Sequence, residues 1–171
     1  VPRFLVSYLK KIIHQDEVNQ FLEANKDRYD LDFINEFMRF FNNSFEVRGL
    51  ENLPEDGRFT FVSNHPLGAQ DGLGLGLILG EHYDGRIKFL VNDLLMNIPQ
   101  IASLFIPINK TGKQSRNLPQ QVAAAFNSDN HIVMFPAGIC SRKRNGVVRD
   151  LEWKKTFIVK SVQTQRDVVP I

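Results

Sequence analysis

An α/β domain with a mainly parallel central sheet flanked by helices is the fold this sequence predicts, and two observations predict it. From Ser44 onward, short β-rich runs alternate with helical patterns, whereas the first 43 residues are rich in Phe, free of Gly and helically spaced. Length agrees, since 171 residues make one domain of ordinary size whose core needs no staples. The chain divides into an N-terminal helical region, residues 1–43, which packs on the core or on a membrane, and an α/β domain, residues 44–171.

In the first region Leu5, Leu9, Ile12 and Ile13 follow helical spacing with Arg3, Lys10 and Lys11 close by, and a second helix is expected from Glu17 to Ala24. A third is capped by Asp32, after which Phe33, Ile34, Phe37, Met38, Phe40 and Phe41 make one wide apolar face that Asn42-Asn43 ends. That face packs on the rest of the domain or against lipid. Strands are expected at 45–47, 59–63, 87–91, 105–109, 131–135 and 168–171, and helices at 72–79, 99–104, 118–126 and 151–163. Asp167-Val168-Val169-Pro170-Ile171 reads as the start of a strand, so a further C-terminal portion is expected to complete the sheet. Reactive residues in such a fold belong at the C-terminal ends of strands.

Charge and composition narrow the classes. Lys+Arg at 21 against Asp+Glu at 19, with 43% of residues hydrophobic, excludes a disordered chain and a basic nucleic-acid arm, and no nucleic-acid partner is expected. The longest weakly polar runs, 72–80 and 101–108, fall far short of the roughly 20 apolar residues of a spanning helix. The opening VPRFLVSYLKK has no initiator Met, no long apolar core and no small-residue cleavage site, so no secretory signal is expected. Cys140 is the single cysteine and has no intrachain disulfide partner; with His14, His82 and His131 far apart in sequence, no metal motif is visible.

Chemistry concentrates in Ser63-Asn64-His65-Pro66-Leu67-Gly68-Ala69-Gln70-Asp71-Gly72, directly after a predicted strand. Pro66 biases His65 away from helical geometry and Gly68 frees the following turn, so the imidazole is presented from a loop. On a continuous helix, residues six apart lie about 240° around the axis and cannot meet. If Asp71 instead starts the next helix, its carboxylate can hold one ring nitrogen of His65 and leave the other to take a proton from a hydroxyl. The plainer alternative is a capping Asp beside a structural His.

The SNHPLGAQD segment resembles the Asn-His-x4-Asp block of the glycerolipid acyltransferases, the lysophosphatidic acid acyltransferase family. Three further blocks follow in family order. Phe105-Ile106-Pro107-Ile108-Asn109-Lys110 resembles the block that ends in a cation, Phe135-Pro136-Ala137-Gly138-Ile139-Cys140-Ser141 the FPEGTRS block, and Val168-Val169-Pro170-Ile171 the Val-Pro strand. Departures accompany the matches. The dyad spacing is one residue longer, Ala137 and Cys140 stand where the family has Glu and Arg, and Lys110 replaces the usual Arg. A weaker phosphate clamp makes an amino-acid-based lysolipid a credible acceptor, and the variant set looks like the hemolysin-type bacterial branch associated with ornithine or glycine lipids.

The resemblance implies a glycerol-phosphate acyltransferase-like fold and transfer of a fatty acyl group from an acyl carrier protein or coenzyme A thioester to a lysolipid hydroxyl. His65 is then the general base and Asp71 its orienting carboxylate, with no cofactor beyond the thioester co-substrate. Asn64, Gly68, Asn109, Lys110, Gly138, Ser141, Arg142 and Lys143 are implied to line the substrate site, with backbone N–H groups around Gly68 or Gly138 facing the oxyanion. Arg142, Lys143 and Arg144 bind a headgroup, a carrier or anionic lipid, or form a solvated turn ending at Asn145-Gly146. The implied location is the cytoplasmic face of the bacterial inner membrane, as a peripheral protein on its surface. The rival readings are a non-catalytic lipid or carrier-protein binding module and a thioester hydrolase using the same pair. Two other patterns fail on spacing. The Gly72–Gly80 run puts Leu where a dinucleotide fingerprint needs its last Gly, and Thr111-Gly112-Lys113 lacks the remainder of a P-loop. Close helix packing explains the glycines better.

Overall fold

The computed structural model describes residues 2–108 and 118–171. Three helices open the chain: α1 (Arg3–Ile12), α2 (Gln15–Ala24) and α3 (Asp30–Phe40). α3 starts two residues before the predicted cap; Tyr29 stands at the N-cap, and Asp30 and Asp32 lie in the first turn, where the helix dipole favours a carboxylate. Its apolar face is spent on the domain. Phe33, Ile34 and Met38 are buried in one core with Phe21 of α2, whose ring meets Phe33, Phe37, Phe40 and Phe41 at centroid distances of 5.1 to 6.0 Å. α1 buries no residue, and Phe4, Tyr8 and Ile12 remain more than half exposed.

The sheet contains β1 (Phe59–Val62), β2 (Ile87–Asn92), β3 (Phe105–Ile108), β4 (His131–Met134) and β7 (Asp167–Pro170) in the order β3-β2-β4-β1-β7, all neighbours parallel. β1 and β4 are buried at every residue, as befits the middle of a sheet covered on both faces. Between strands run α4 (Ala69–His82), α5 (Leu118–Asn127) and α6 (Thr156–Gln163), so the α/β fold read from the alternation is the fold observed. α4 lies against α3. Gly76 and Gly80 are one helical turn apart: a Cβ on Gly76 would stand 3.3 Å from Ile34 Cδ1, and one on Gly80 would collide with Leu31. The glycines thin one face of α4 so that α3 can approach.

Four expectations change. Residues 45–47 are not a strand, being exposed and without a ladder partner. Residues 99–104 yield only a short 3₁₀ turn, Ala102–Leu104. The helix expected at 72–79 begins earlier, at Ala69, and that expected at 151–163 begins later, at Thr156, because Lys154 N–H is bonded to Pro136 O and Trp153 is turned to Asp150. An antiparallel hairpin of β5 (Arg142–Arg144) and β6 (Val147–Arg149) occupies the basic segment. Asn145 and Gly146 at its turn both have left-handed φ, 50° and 82°, as a two-residue hairpin turn requires.

His131 is structural. It opens β4 at 1% exposure, accepts the Phe59 N–H on Nδ1 at 3.3 Å, stacks on the Phe59 ring and lies 4.1 Å from the Tyr83 ring. Burial above all, then the charges of Arg86, Arg166 and His82, push its pKa from the ordinary 6.5 down to about 4. Between those values the unfolded chain takes up a proton that the folded chain refuses. The native state therefore loses stability as pH falls from 6.5 toward about 4, by on the order of 3 kcal/mol, and gains nothing from this group above 6.5. Urea unfolding at a series of pH values checks this: replacing His131 with Gln should flatten the acid slope by up to about 1.4 kcal/mol per pH unit, and an unchanged slope would assign the titration elsewhere.

Candidate active site

The parallel register Val62↔Met134 sends the chain out of β1 and β4 side by side, and the two loops that follow hold Asn64, His65, Gly68, Gly138 and Ser141 of the predicted site. Gly68, with φ 72° and ψ −122°, turns the first loop back on itself and stands at the N-cap of α4. That backbone is open to glycine alone. Asp71 is the third residue of α4, and the loop return brings its carboxylate to His65 despite the long spacing: His65 Nδ1 lies 3.1 Å from Asp71 Oδ2. The same oxygen accepts the N–H of Leu67 at 2.7 Å and of Gly68 at 3.0 Å. An acceptor held by two backbone donors at a helix start is fixed, and it selects the tautomer with hydrogen on Nδ1 and Nε2 as the basic nitrogen.

The imidazole lies on Phe135, centroids 4.0 Å apart and 21° from parallel. It is 18% exposed, its partner 13%. Beside the ring lies an apolar cavity of about 340 Å³ whose lining includes His65, Gly68, Gly138 and Cys140 together with Phe21 and Phe33. A cavity of about 390 Å³ near Leu50 and Val169 is larger but has no acid–base pair in its lining, so the smaller one is the candidate site.

The sequence reading passed over Asp150. Its Oδ1 accepts the backbone N–H of His65 at 3.3 Å and the Ser141 hydroxyl, while Oδ2 accepts Trp153 Nε1 at 2.9 Å. Ser141 N–H in turn donates to His65 O at 2.7 Å. Both backbone polar groups of the histidine are thus tied to the second loop. Burial raises the Asp150 pKa, but the hydrogen bonds from Ser141, Trp153 and His65 outweigh it and hold the carboxyl below its ordinary value. No local pattern could have found Asp150, because its contact with His65 spans 85 residues of sequence.

The remaining predicted residues are distributed unevenly. Gly68 and Gly138 line the cavity, but their N–H groups are engaged, Gly68 with Asp71 and Gly138 with Phe135 O at 2.8 Å, so neither presents an unengaged oxyanion donor here. Asn64 is exposed beside the loop, and Arg142 and Lys143 lie exposed on β5. Asn109 and Lys110 lie outside the described residues. Cys140 is exposed at the cavity mouth rather than buried, and a Cβ on Gly68 would come within 3.1 Å of its sulfur. Among the described residues, no helix is long and apolar enough to cross a membrane.

Replacing Asp150 with Ala strands three donors from three segments, which should cost about 1–3 kcal/mol in chemical denaturation at neutral pH. Asp150→Asn, which keeps one acceptor oxygen, should lose less; equal losses would mean that the carboxylate charge, not the acceptor geometry, is what matters.

A family model described as Acyltransferase matches residues 1–171. Over all 171 residues the chain is 61% identical to the lyso-glycine lipid O-acyltransferase of Bacteroides thetaiotaomicron, covering 63% of it, and 61% identical to the lyso-glycine lipid O-acyltransferase of Phocaeicola vulgatus, covering 61%. The chain thus spans somewhat less than two thirds of the length of these curated relatives. No solved structure matches it. Since the family model and both relatives align along its whole length, the chain belongs to the acyltransferase family.

Proposed function

We propose that the protein moves a fatty acyl group from an acyl carrier protein or coenzyme A thioester to the hydroxyl of a lysolipid, and that a lyso-glycine lipid, the acceptor in the relatives' names, is its acceptor class. The observation that carries this reading is the His65–Asp71 pair at the mouth of an apolar cavity. An acyl chain is removed from water by the cavity, and its thioester carbonyl then lies at the His65 end. Nε2 takes the proton of the acceptor hydroxyl as its oxygen attacks that carbonyl, and Asp71 stabilises the imidazolium. Collapse of the tetrahedral adduct breaks the C–S bond, and the departing thiolate takes the proton back from Nε2. The reaction needs no covalent acyl-enzyme.

A glycine headgroup presents one carboxylate, for which a single guanidinium fork suffices. Arg142 directly follows Ser141, whose N–H donates to His65 O, and is the proposed carboxylate ligand. α1 is the proposed contact with a membrane surface, since Phe4, Tyr8, Leu9 and Ile12 are exposed on a helix that also carries Arg3, Lys10 and Lys11. Such a helix lies in the interface and does not span it, which supports peripheral attachment; the cytoplasmic face of the bacterial inner membrane is the proposed location.

Full-length protein incubated with acyl thioester and a lyso-glycine lipid should give the diacyl product by mass spectrometry, and His65→Ala should lower the rate by about a hundredfold to ten-thousandfold while the protein stays folded. Free fatty acid released without acceptor would indicate a hydrolase, and vesicle binding without any product a binding module. In liposome flotation, deleting residues 1–14 should release the protein from anionic vesicles; retained binding would move the anchor elsewhere.

A further inference from the structure

The β5–β6 hairpin is not used by the mechanism above beyond Arg142, yet it is joined to the active site at both ends. The residue before β5 is Ser141, whose N–H holds His65 O, and the residue after β6 is Asp150, whose carboxylate holds His65 N–H. Cys140, one residue further back, lines the mouth of the acyl cavity.

Register decides what the hairpin presents. Arg142 pairs with Arg149 and Arg144 with Val147, while Lys143 pairs with Val148. Directly opposed residues of an antiparallel pair share a face and successive residues alternate, so Arg142, Arg144 and Arg149 stand together on one face with Val147. All three are exposed, and none has a carboxylate within ion-pairing distance among the described residues. Three uncompensated guanidinium groups on a short ribbon repel one another, an arrangement that favours a polyanionic ligand. The acceptor's one carboxylate takes one fork. The other reactant is a thioester, and both kinds of donor, coenzyme A and an acyl carrier protein, hold their sulfur at the end of a phosphorylated pantetheine arm.

We propose that the arginine face of the β5–β6 hairpin, Arg142, Arg144 and Arg149, binds the phosphate of the phosphopantetheine arm of the donor. The inference rests on the proposed thioester chemistry. With the acyl chain in the cavity and the sulfur at His65, the arm leaves past Cys140 along the hairpin, where forked guanidinium groups match phosphate oxygens. Arg142, at the root, serves the acceptor carboxylate and the donor phosphate in turn or together, whereas Arg144 and Arg149 serve the donor alone.

The test uses the full-length protein and three donors with one acyl chain: acyl coenzyme A, an acylated carrier protein, and acyl-pantetheine, which lacks phosphate. The readout is the ratio of kcat/KM for a phosphorylated donor to that for acyl-pantetheine. Arg144→Gln/Arg149→Gln should shrink this ratio at least tenfold and flatten its decline with ionic strength. Titration calorimetry with coenzyme A alone should show at least fivefold weaker binding. Whichever of coenzyme A and the carrier protein carries the larger ratio in the unsubstituted protein is the donor this face serves. Should the double variant be poorly folded, Arg144→Gln beside the exposed turn should shrink the same ratio by several-fold. An unchanged ratio, or a loss confined to anionic vesicle binding or to the KM of the lysolipid, overturns the proposal. If no thioester donates at all, the transferase reading fails and this inference fails with it; transfer from acyl-pantetheine as efficient as from the phosphorylated donors refutes the phosphate site alone.

Discussion

Parallel pairing of β1 with β4 is the constraint on which the rest of the site depends. In a parallel ladder both strands end at the same edge, so Asn64-His65 and Phe135-Pro136 emerge side by side. Everything chemical follows from that adjacency: the Phe135 ring under the imidazole, the bond from Ser141 N–H to His65 O, and a cavity bounded by both loops. Shifting the register by one residue would send each side chain of β4 to the opposite face of the sheet and separate the loops by one strand residue, about 3.3 Å.

Two carboxylates divide the control of one histidine. Asp71 holds the ring through Nδ1 and is itself anchored by two backbone donors; Asp150 holds the backbone on the other side and is anchored by a serine and a tryptophan. Torsion about the side chain and position of the main chain are therefore set by different segments. An imidazole fixed in both respects holds Nε2 in one direction without reorganising, which is the preorganisation that the proposed proton transfer needs.

The ring-holding half of this arrangement was legible in the sequence because it is local: Pro66 and Gly68 announce a loop, and Asp71 follows within one turn of α4. The backbone-holding half was not, because Asp150 acts across 85 residues and carries no periodic signal. For the same reason residues 151–155 read as helix when their hydrogen bonds go to the second loop instead. Strands β1, β2, β3 and β4 stood out as apolar runs, whereas β5 and β6 are exposed at every residue and only Asn145-Gly146 marked their turn. The glycines of α4 were legible as well: their spacing fails as a nucleotide loop, and the close helix packing read instead is what Leu31 and Ile34 make against Gly80 and Gly76.

A Cβ on Gly68 would stand 3.1 Å from the Cys140 sulfur, so two distant motif positions share one space. Residue 140 has room for a sulfur because residue 68 has no Cβ, and residue 68 must be glycine because its backbone occupies a region closed to other amino acids. Bulk at 140 is therefore limited by a decision taken in the histidine loop. A long cation at 140 would have to be routed away from the turn at 68, because the residue there has no alternative with which to make room.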